Sequence, residues 1–276
     1  LPGALMDIAV LISAYNNAPL LRRCLLALSV QTDSRFQIVI ADDGSNESVK
    51  QVLELPEFRA LKIQHHWHED QGFRKTKILN RALAEMETDY VILTDADCLP
   101  RNDFIAQHRQ IAKPGTFVSG GIVNIPITVH QQFTDNDLTS QRVFSVEFLA
   151  QLDPSLRKQR GRLARPGRWT NLWNLLTYRY AALRGNNAAV WHRDLLAVNG
   201  FDEGFVHHGS EDRDLGQRLA NHGCRGRMLK YSVLALHMDH KRPYFDAAAI
   251  RANRERSRQR FWSGQSWVET GIKKAA

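Results

Sequence analysis

The stretch YVILTDADCLPRNDF, residues 90–104, decides both the fold and the place of the chemistry. Its almost continuous apolar run, residues 90–94, is typical of a strand that is covered on both faces of a parallel sheet. The run ends at Asp95 and Asp97, and two carboxylates at the end of a buried strand are costly unless something neutralises them. Because residues i and i+2 of an extended chain share a face, both carboxylates can point to one spot.

A divalent cation is one group that would neutralise these carboxylates. A pair of carboxylates with few other protein ligands suits Mg²⁺ or Mn²⁺ that also binds substrate phosphates. A second interpretation is structural, in which Asp95 and Asp97 cap the following helix or pair with Arg101. The spacing alone leaves both interpretations open.

Strands and helices alternate through the first half of the chain. The pattern predicts strands at residues 7–14, 36–41, 61–65, 90–94 and 116–125, and helices within 16–31, 46–55 and 74–87. This alternation predicts right-handed βαβ units and an open, mostly parallel sheet flanked by helices, an α/β fold. Ligands bind beyond the carboxyl ends of such strands, where residues 13–16, 42–45 and 95–97 fall.

The second half is less regular. Residues 130 to about 183 are basic and aromatic with weak helical signals, and we interpret them as a helical or irregular insertion. Short strands are predicted at 188–191 and 231–236, a helix at 211–222, and a basic helix at 245–262.

The charge of the chain favours anionic partners. Its 276 residues include 37 Lys and Arg against 29 Asp and Glu, a net charge of +8. Such an excess suits nucleic acid, acidic lipid headgroups or nucleotide-linked substrates. Two basic runs, residues 157–168 and 251–260, are equally compatible with a solvated surface.

Membrane spans and disulfides are not indicated. No apolar run approaches the roughly 20 residues of a membrane span, and the first apolar stretch, residues 8–12, is too short for a signal peptide. Three scattered cysteines, Cys24, Cys98 and Cys224, favour the reduced thiols of a cytosol over a disulfide frame or a zinc cluster. We therefore expect a cytoplasmic protein.

Three motifs in order carry a family resemblance: LISAYNNAPLLRRCLLALSVQ at 11–31, IVIADDGSNE at 38–47 and VILTDADCLP at 91–100. Over residues 8 to about 125 the chain resembles the first half of family 2 glycosyltransferases of the GT-A fold. It departs at residues 13–16, where Pro or Thr often opens the motif. GFRKTKILNRAL at 72–83 and VNGFDEGFVHHGSEDRDLGQRLANHG at 198–223 are similar to motifs of chondroitin-polymerase-type and β-1,4-galactosyltransferase domains.

The resemblance implies a domain organisation. A GT-A domain would cover residues 6–245, with a nucleotide-binding half at about 6–125, the insertion at about 130–183 and an acceptor half at about 184–245. A basic C-terminal helix or tail, residues 246–276, and the insertion are not covered by the resemblance.

The resemblance also implies donor and metal contacts. Donor-binding residues would be Ser13, Tyr15, Asp42, Asp43, Phe73, Arg74, Lys75, Lys77 and Asp95, with Phe73 on the nucleotide base and the cations near the phosphates. Asp97 would be the main ligand of Mn²⁺ or Mg²⁺, together with Asp95 and with His237, for which His240 is a competing ligand. Gly185 and Asn186 line the donor sugar or form a simple turn.

For catalysis, the resemblance makes Asp212 the base, places Glu211 on the sugar or acceptor, and puts His208 where the family has an acceptor-stacking tryptophan. Sugar transfer independently needs a cation to meet the charge of the departing diphosphate. It also needs a carboxylate to take the proton of the acceptor hydroxyl, and a single displacement inverts the anomeric carbon. The helix dipole also favours two carboxylates at the start of a helix, which is the structural alternative.

The resulting hypothesis is a metal-dependent inverting hexosyl- or N-acetylhexosaminyltransferase. It would use a nucleotide-sugar donor, UDP-linked, and a hydroxyl of a glycan or glycolipid in surface polysaccharide or lipopolysaccharide synthesis. Its basic segments would contact the anionic inner face of the membrane, and nucleic acid is not an expected partner.

Two alternatives compete with this hypothesis. A sugar nucleotidyltransferase usually carries a Gly-rich basic loop where residues 13–16 stand. A non-catalytic polyanion binder leaves the strand-end acids unexplained, because they would repel its ligand. His65, His66 and His68 form a local cluster, but a zinc site there would lack a nearby cysteine.

Overall fold

The first four strands form the parallel half of one sheet. In this computed structural model, which describes residues 6–176, 182–240 and 246–274, they are β1 (Ile8–Ala14), β2 (Gln37–Asp42), β3 (Ile63–Trp67) and β4 (Tyr90–Asp95). Strand β1 lies between β2 and β4, and β3 extends the sheet beyond β2. The register places Ser13 beside Asp95 and Ala14 beside Asp42, so the polar strand ends meet at one edge.

The second half of the sheet is mixed. Strands β5 (Cys98–Pro100), β6 (Thr116–Ile125), β7 (Asn187–Trp191) and β8 (Arg225–Met238) complete the order β3-β2-β1-β4-β7-β6-β8-β5. Strand β7 is antiparallel to both β4 and β6, β5 is antiparallel to β8, and β6 and β8 are parallel. The predicted open parallel sheet is thus parallel up to β4 and mixed beyond it.

Helices cover both faces of the sheet. They are α1 (Ala18–Ser29), α2 (Glu47–Leu53), α3 (Lys75–Glu85), α4 (Phe104–Ile111), α5 (Ile127–His130), α6 (Asp135–Thr139), α7 (Val146–Leu152), α8 (Arg160–Leu163), α9 (Arg168–Leu176), α10 (His192–Ala197), α11 (Glu211–Asn221) and α12 (Ala247–Ser263), with short 3₁₀ helices at Pro56–Phe58, Arg142–Phe144 and Pro154–Gln159. None of the helices in the described ranges has the length and apolar composition that a membrane crossing requires.

Alternate residues of each central strand enter two different cores. On β1, Val10 packs in the core that contains Leu21 and Leu25 of α1. Its neighbour Leu11 packs on the other face, in the core that contains Ile78 of α3. Burial on both faces explains why β1, β2 and β4 are almost continuously apolar, and this rigid sheet fixes the positions of the strand-end side chains.

The predicted insertion is more regular than the sequence indicated. Residues 127–176 form the short helices α5 to α9, and apolar side chains such as Phe133, Leu138 and Leu149 are buried in the core beside α1. A capping box on Thr134 and Asp137 begins α6, which explains an ordered helix of only five residues. Of the predicted helical or irregular insertion, this part is helical, whereas residues 177–181 lie outside the described ranges.

Three further elements differ from the prediction. Strand β8 begins at Arg225 and not near residue 231, because its first half pairs with β6 although its side chains are only partly buried. Strand β5 and helix α4 were not predicted. The predicted basic helix is α12, and the predicted boundary at residue 245 lies outside the described ranges.

Two glycines of β6 permit the pairing of β6 with β7 and β8. A Cβ on Gly120 would collide with the side chain of Asn187, and one on Gly121 would collide with the backbone of Lys230. The register between β6 and β8 shifts between these two residues. This close approach brings the end of β8, with His237, back to the edge where β4 ends.

Candidate active site

Asp95 is held by one residue from β1 and one from α3. The hydroxyl of Ser13 donates to Asp95 Oδ1, and Lys75 Nζ lies 2.9 Å from the same oxygen. Arg101 does not pair with Asp95 or Asp97, because its guanidinium contacts Asp103 at 2.7 Å. The N-cap of the next helix is also Asp103. The alternative in which Asp95 and Asp97 cap that helix or pair with Arg101 is therefore wrong.

Lys75 connects the two halves of the chain. Burial lowers the pKa of Lys75, but the charges of Asp95, Glu211 and Asp212 outweigh burial and hold this pKa above its ordinary value. The ammonium group in the first turn of α3 thus contacts one carboxylate of β4 and is under the electrostatic influence of two carboxylates at the start of α11. A cation in the first turn opposes the helix dipole, so these carboxylates stabilise it there.

Two carboxylates at the start of α11 accept hydrogen bonds from backbone amides. The amide of Gly185 donates to Asp212 Oδ2 at 3.1 Å, and the amide of Arg213 donates to Asp212 Oδ1 at 2.7 Å. The amide of Gly209 donates to Glu211 Oε2 at 2.9 Å. Burial raises the pKa of Glu211; the charge of Lys75 opposes this and that of Asp212 adds to it, so the pKa lies above its ordinary value.

The loop before β7 lies against these carboxylates through its backbone. The Gly185 contact comes from this loop, and the Thr94 hydroxyl at the end of β4 donates to the Asn186 carbonyl at 3.2 Å. The structure thus brings the predicted residues Gly185 and Asn186 between β4 and the start of α11.

Asp97 lies against two histidines. Its Oδ2 is 3.3 Å from Nε2 of His237 and 3.0 Å from Nε2 of His240. Burial raises the pKa of Asp97, but hydrogen bonds from both histidines outweigh burial and hold the pKa well below its usual range. The sequence left His237 and His240 as competitors, and the structure brings both to Asp97, while Asp95 contacts Ser13 and Lys75 instead.

These three side chains are of types that bind divalent cations, but they contact one another directly. Within the described ranges, no group of three or more His, Cys, Asp or Glu side chains has the arrangement of a formed metal site. Asp97 lies in the turn between β4 and β5, His237 lies on β8, and His240 follows β8. The three side chains thus converge from separate parts of the chain.

Two carboxylates at the end of β2 are each in contact with a histidine. One of these histidines lies on β3 and the other in the loop that follows β3. His65 Nε2 lies 3.0 Å from Asp42 Oδ2, and His68 Nε2 lies 2.8 Å from Asp43 Oδ1. The remaining histidine of the predicted cluster, His66, lies 3.4 Å from Glu85. Because each histidine faces a different carboxylate, the three do not converge on one metal.

Asp43 and Tyr15 connect the strand ends to the loop before α3. The amide of Arg74 donates to Asp43 Oδ2 at 3.0 Å. Burial raises the pKa of Asp43, although the hydrogen bonds from His68 and Arg74 oppose this. The Tyr15 hydroxyl donates to Asp70 Oδ2 at 2.9 Å, and the strand ends and this loop thus form one surface.

Asp70 was not predicted from the sequence, and Gly44 explains why Asp70 lies at this edge. Gly44 has φ +92°, and a Cβ there would come within 2.6 Å of the Cα of Asp70. Only glycine allows the loop of residues 68–74 to approach the end of β2 so closely. The sequence signal was the acidic pair Glu69 and Asp70, which only Gln71 separates from the GFRKTK motif.

A cleft of about 410 Å³ opens beside this surface. One wall is formed by the turn that leads into α3 and by the first turn of α3: Gln71, Gly72, Phe73, Arg74, Thr76 and Lys77. The other wall is formed by the loop before α11: Glu203, Phe205, Val206 and His207. The predicted basic trio is thus divided: Arg74 and Lys77 line the cleft, whereas Lys75 faces the carboxylates. His208, the predicted acceptor residue, directly follows the cleft wall and is exposed.

The sheet is covered by helices on both faces and carries carboxylates at the ends of its parallel strands. Two further carboxylates begin a helix, and this arrangement is that of a glycosyltransferase of the GT-A class. Residues 9–159 match the model of glycosyl transferase family 2, and the chain belongs to this family. Residues 173–241 match the model of the N-terminal domain of galactosyltransferase. The predicted family is confirmed, and the nucleotidyltransferase and non-catalytic alternatives are wrong.

Curated relatives include several glycosyltransferases. Chondroitin synthase of Escherichia coli is 26% identical over 243 residues, which are 84% of this chain and 34% of that protein. Validoxylamine A glucosyltransferase of Streptomyces hygroscopicus subsp. jinggangensis is 28% identical over 248 residues, 81% of this chain and 54% of that protein. The chain thus spans about a third to about half of these relatives.

Solved structures confirm the predicted GT-A fold. The mannosyltransferase PcManGT from Pyrobaculum calidifontis, in complex with GDP-Man and Mn²⁺, has a TM-score of 0.60 at 20% identity, covering 95% of this chain and 64% of that one. S. aureus TarS 1–349 in complex with UDP-GlcNAc has a TM-score of 0.59 at 13% identity, covering 92% and 66%.

Proposed function

We propose that this glycosyltransferase moves a sugar from a nucleotide-sugar donor to an acceptor hydroxyl with inversion, with the help of a divalent metal. One observation carries the proposal: the loop of Gly185 and Asn186 contacts both the end of β4, at Thr94, and Asp212 of α11. The end of a nucleotide-binding strand and a candidate base thus lie at one site. The structural relatives with GDP-Man and Mn²⁺ or with UDP-GlcNAc support the donor class.

Asp97, His237 and His240 fit a metal. The two imidazole Nε2 atoms lie 3.3 Å and 3.0 Å from the same carboxylate oxygen of Asp97, and these direct contacts would open to admit an ion. This mixed oxygen and nitrogen set favours Mn²⁺ over Mg²⁺, which prefers oxygen ligands and keeps its waters. When bound, such a cation would offset the negative charge of the departing diphosphate.

The donor would lie across the carboxyl ends of β1, β2 and β4. In this proposal Tyr15 and Asp43 border the nucleoside, with Asp42 behind them on His65. Phe73 packs on the base, and the cations Arg74 and Lys77 in the cleft attract the phosphates. Ser13 orients Asp95 toward the ribose, and Lys75 supplies a further positive charge.

Asp212 would take the proton of the acceptor hydroxyl. Two backbone amides donate to its carboxylate and fix its orientation, and a positioned carboxylate is a group that can act as a general base. Glu211, whose pKa is raised mainly by burial, can hold a sugar hydroxyl from the same helix turn. One base on one side of the sugar gives a single displacement and therefore inversion.

The acceptor would be a hydroxyl of a glycan or glycolipid. His208, exposed at the mouth of the cleft, would contact it. A hexosyl or N-acetylhexosaminyl group from a UDP donor, in surface polysaccharide or lipopolysaccharide synthesis, agrees with relatives such as chondroitin synthase.

Peripheral contact with an anionic membrane on the cytoplasmic side is part of the proposal. Trp169 and Trp262 are 75% and 77% exposed, and each lies on a helix within or beside a basic run. Exposed tryptophan beside arginine suits an interface with acidic headgroups. Binding to vesicles that contain acidic lipid should fall in Trp262→Ala, and unchanged binding there and in Trp169→Ala would remove the membrane from this proposal.

A panel of nucleotide sugars with Mn²⁺, Mg²⁺ or EDTA tests the proposal. The assay scores thermal stabilisation and release of the nucleoside diphosphate. We expect one UDP-sugar to give metal-dependent stabilisation and release. Equal signals with EDTA would refute the metal role, and no response to any nucleotide sugar would refute the donor class.

A further inference from the structure

The C-terminal segment, residues 246–274, is joined to the loop before α11. It follows both regions that match family models, which end at residues 159 and 241. The amide nitrogen of Asn199 donates to the carbonyls of Val268 at 2.7 Å and Lys273 at 2.8 Å, and the amide of Lys273 donates back to Asn199 Oδ1 at 2.7 Å. The backbone amide of Glu203 donates to the Thr270 carbonyl at 2.8 Å.

Asp202, in the same loop, is the centre of an ionic cluster. Its side chain has no exposed area, and two arginines of α12 reach it, Arg256 at 2.9 Å and Arg260 at 3.1 Å. The Thr270 hydroxyl and the Gly204 amide also donate to it, each at 2.9 Å. A buried carboxylate with this many donors fixes the loop strongly, because losing one donor leaves a buried charge less compensated.

Arg260 extends this cluster to the helix that carries the candidate base. Its Nε lies 3.3 Å from Oδ1 of Asp214, a side chain with no exposed area two residues after Asp212. Asp214 also pairs with Arg218 at 2.7 Å, and Arg218 donates to the Val198 carbonyl at 2.7 Å. One guanidinium of α12 thus links the loop to the first turn of α11.

The segment also supports the cleft wall. The amide of Asn253 donates to the His207 carbonyl at 2.7 Å. Arg256 lies against the backbone of Gly204, where a Cβ would collide with its guanidinium, and 5.6 Å from the ring centroid of Phe205. The turn that follows, with Gly209 at φ +108° and Ser210 at φ +73°, leads directly into Glu211.

We propose that Arg260, with Arg256 and Asn253, is a positioning residue: the C-terminal segment holds residues 199–214 so that Asp212 faces Lys75 and Asp95. This inference rests on the proposed role of Asp212. The arginines of α12 then have two different roles. Arg256 and Arg260 face inward to buried carboxylates, while Arg258, 69% exposed, pairs with Glu255 on the same helix.

The test compares Arg260→Ala with Arg260→Lys and with the matched control Arg258→Ala. In Arg260→Ala we expect amide hydrogen exchange of peptides from 199–218 to rise about tenfold, while peptides from β1 to β4 stay unchanged. We expect kcat to fall about tenfold, because a small misplacement of a base is costly, with Mn²⁺-dependent nucleotide affinity within about twofold. Arg260→Lys should recover part of kcat, and Arg258→Ala should match the wild type.

Unchanged exchange of residues 199–218 in Arg260→Ala and in the milder variant Asn253→Ala would overturn the proposal. An equal loss of nucleotide affinity and of kcat would overturn it as well, since that pattern reports general destabilisation. A wild-type chain without nucleotide binding or transfer would instead refute the proposed function. The exchange measurement still decides the role of the segment in that case.

Discussion

Lys75 Nζ lies 2.9 Å from Asp95 Oδ1, so the first turn of α3 is joined to the end of β4. The ammonium group is also close enough to Glu211 and Asp212 for their charges to raise its pKa. The charges of these three carboxylates explain why a lysine occupies the first turn of α3, where the helix dipole opposes it.

Replacing Lys75 by methionine should reduce kcat/KM by about a hundredfold or more, because three carboxylates would lose their shared cation. Removal of the positive charge should also raise the pKa of Glu211 further. The measurement is a pH profile of kcat/KM for Lys75→Met, Lys75→Arg and the control Lys50→Met, which changes an exposed lysine of α2.

Lys75→Arg keeps the charge and should retain more activity than Lys75→Met. A methionine variant that is folded and as active as Lys50→Met would show that Lys75 has no part in the reaction.

Metal binding should depend on Asp97 and both histidines. Asp97→Asn should lower Mn²⁺-dependent nucleotide affinity by about a hundredfold, and His240→Ala by about tenfold to a hundredfold, since each removes one ligand-type atom. Titration calorimetry with UDP, with and without Mn²⁺, measures this. The control is Glu87→Gln, an exposed residue near the opposite end of β4.

Affinity that is unchanged in Asp97→Asn would remove the metal from this position. A loss in Asp97→Asn but none in His240→Ala would leave the ion with Asp97 and His237.

The parallel half of the fold could be predicted because it is encoded locally. Strands β1, β2 and β4 are short apolar runs followed by polar residues, and helices α1 and α3 each show one apolar face. Strand-end positions then follow from the general rule for parallel sheets, which is why Ser13, Asp43 and Asp95 were found from the sequence.

The mixed half could not be predicted in the same way. Strand β7 inserts between β4 and β6 from a distance of more than 90 residues along the chain from β4, and nothing local indicates that pairing. The first half of β8 is only partly buried and lacks the alternation of a strand.

Side-chain contacts between distant parts of the chain could not be predicted from the sequence either. The sequence spacing of His237 and His240 could not show which of them approaches Asp97. Their approach depends on the pairing of β8 and on the path of the chain after it. The basic run at 251–260 gave no sign that Arg260 faces a buried Asp202, since an inward arginine and a solvated one look the same in a sequence.

The base assignment separates binding from chemistry. Asp212→Asn should keep Mn²⁺-dependent nucleotide affinity within about threefold and reduce transfer by about a thousandfold, because an amide cannot accept the acceptor proton. Gly185 and Arg213 donate to different oxygens of Asp212, so one of the two amides keeps its acceptor in the asparagine variant and the other loses it. Single-turnover transfer and nucleotide titration on the same sample measure both. Transfer at the wild-type rate would show that another group is the base.

His108 should make the protein less stable in mild acid. It is fully buried in α4, with its ring against Phe104 and Tyr90, and burial lowers its pKa to about 3. An unfolded histidine titrates near 6.5. Between about pH 6.5 and 3 the unfolded chain therefore binds a proton that the folded chain does not, and the free energy of unfolding falls as the pH is lowered.

The contribution of His108 is fully present above about pH 6.5, and its slope approaches about 1.4 kcal/mol per pH unit below that. Urea unfolding at pH 7.5, 6.5, 5.5 and 5.0 should show a shallower pH dependence for His108→Leu than for the wild type, whatever the offset at pH 7.5. The control His222→Leu changes an exposed histidine after α11. Parallel curves for His108→Leu and the wild type would mean that His108 is not held neutral in the core.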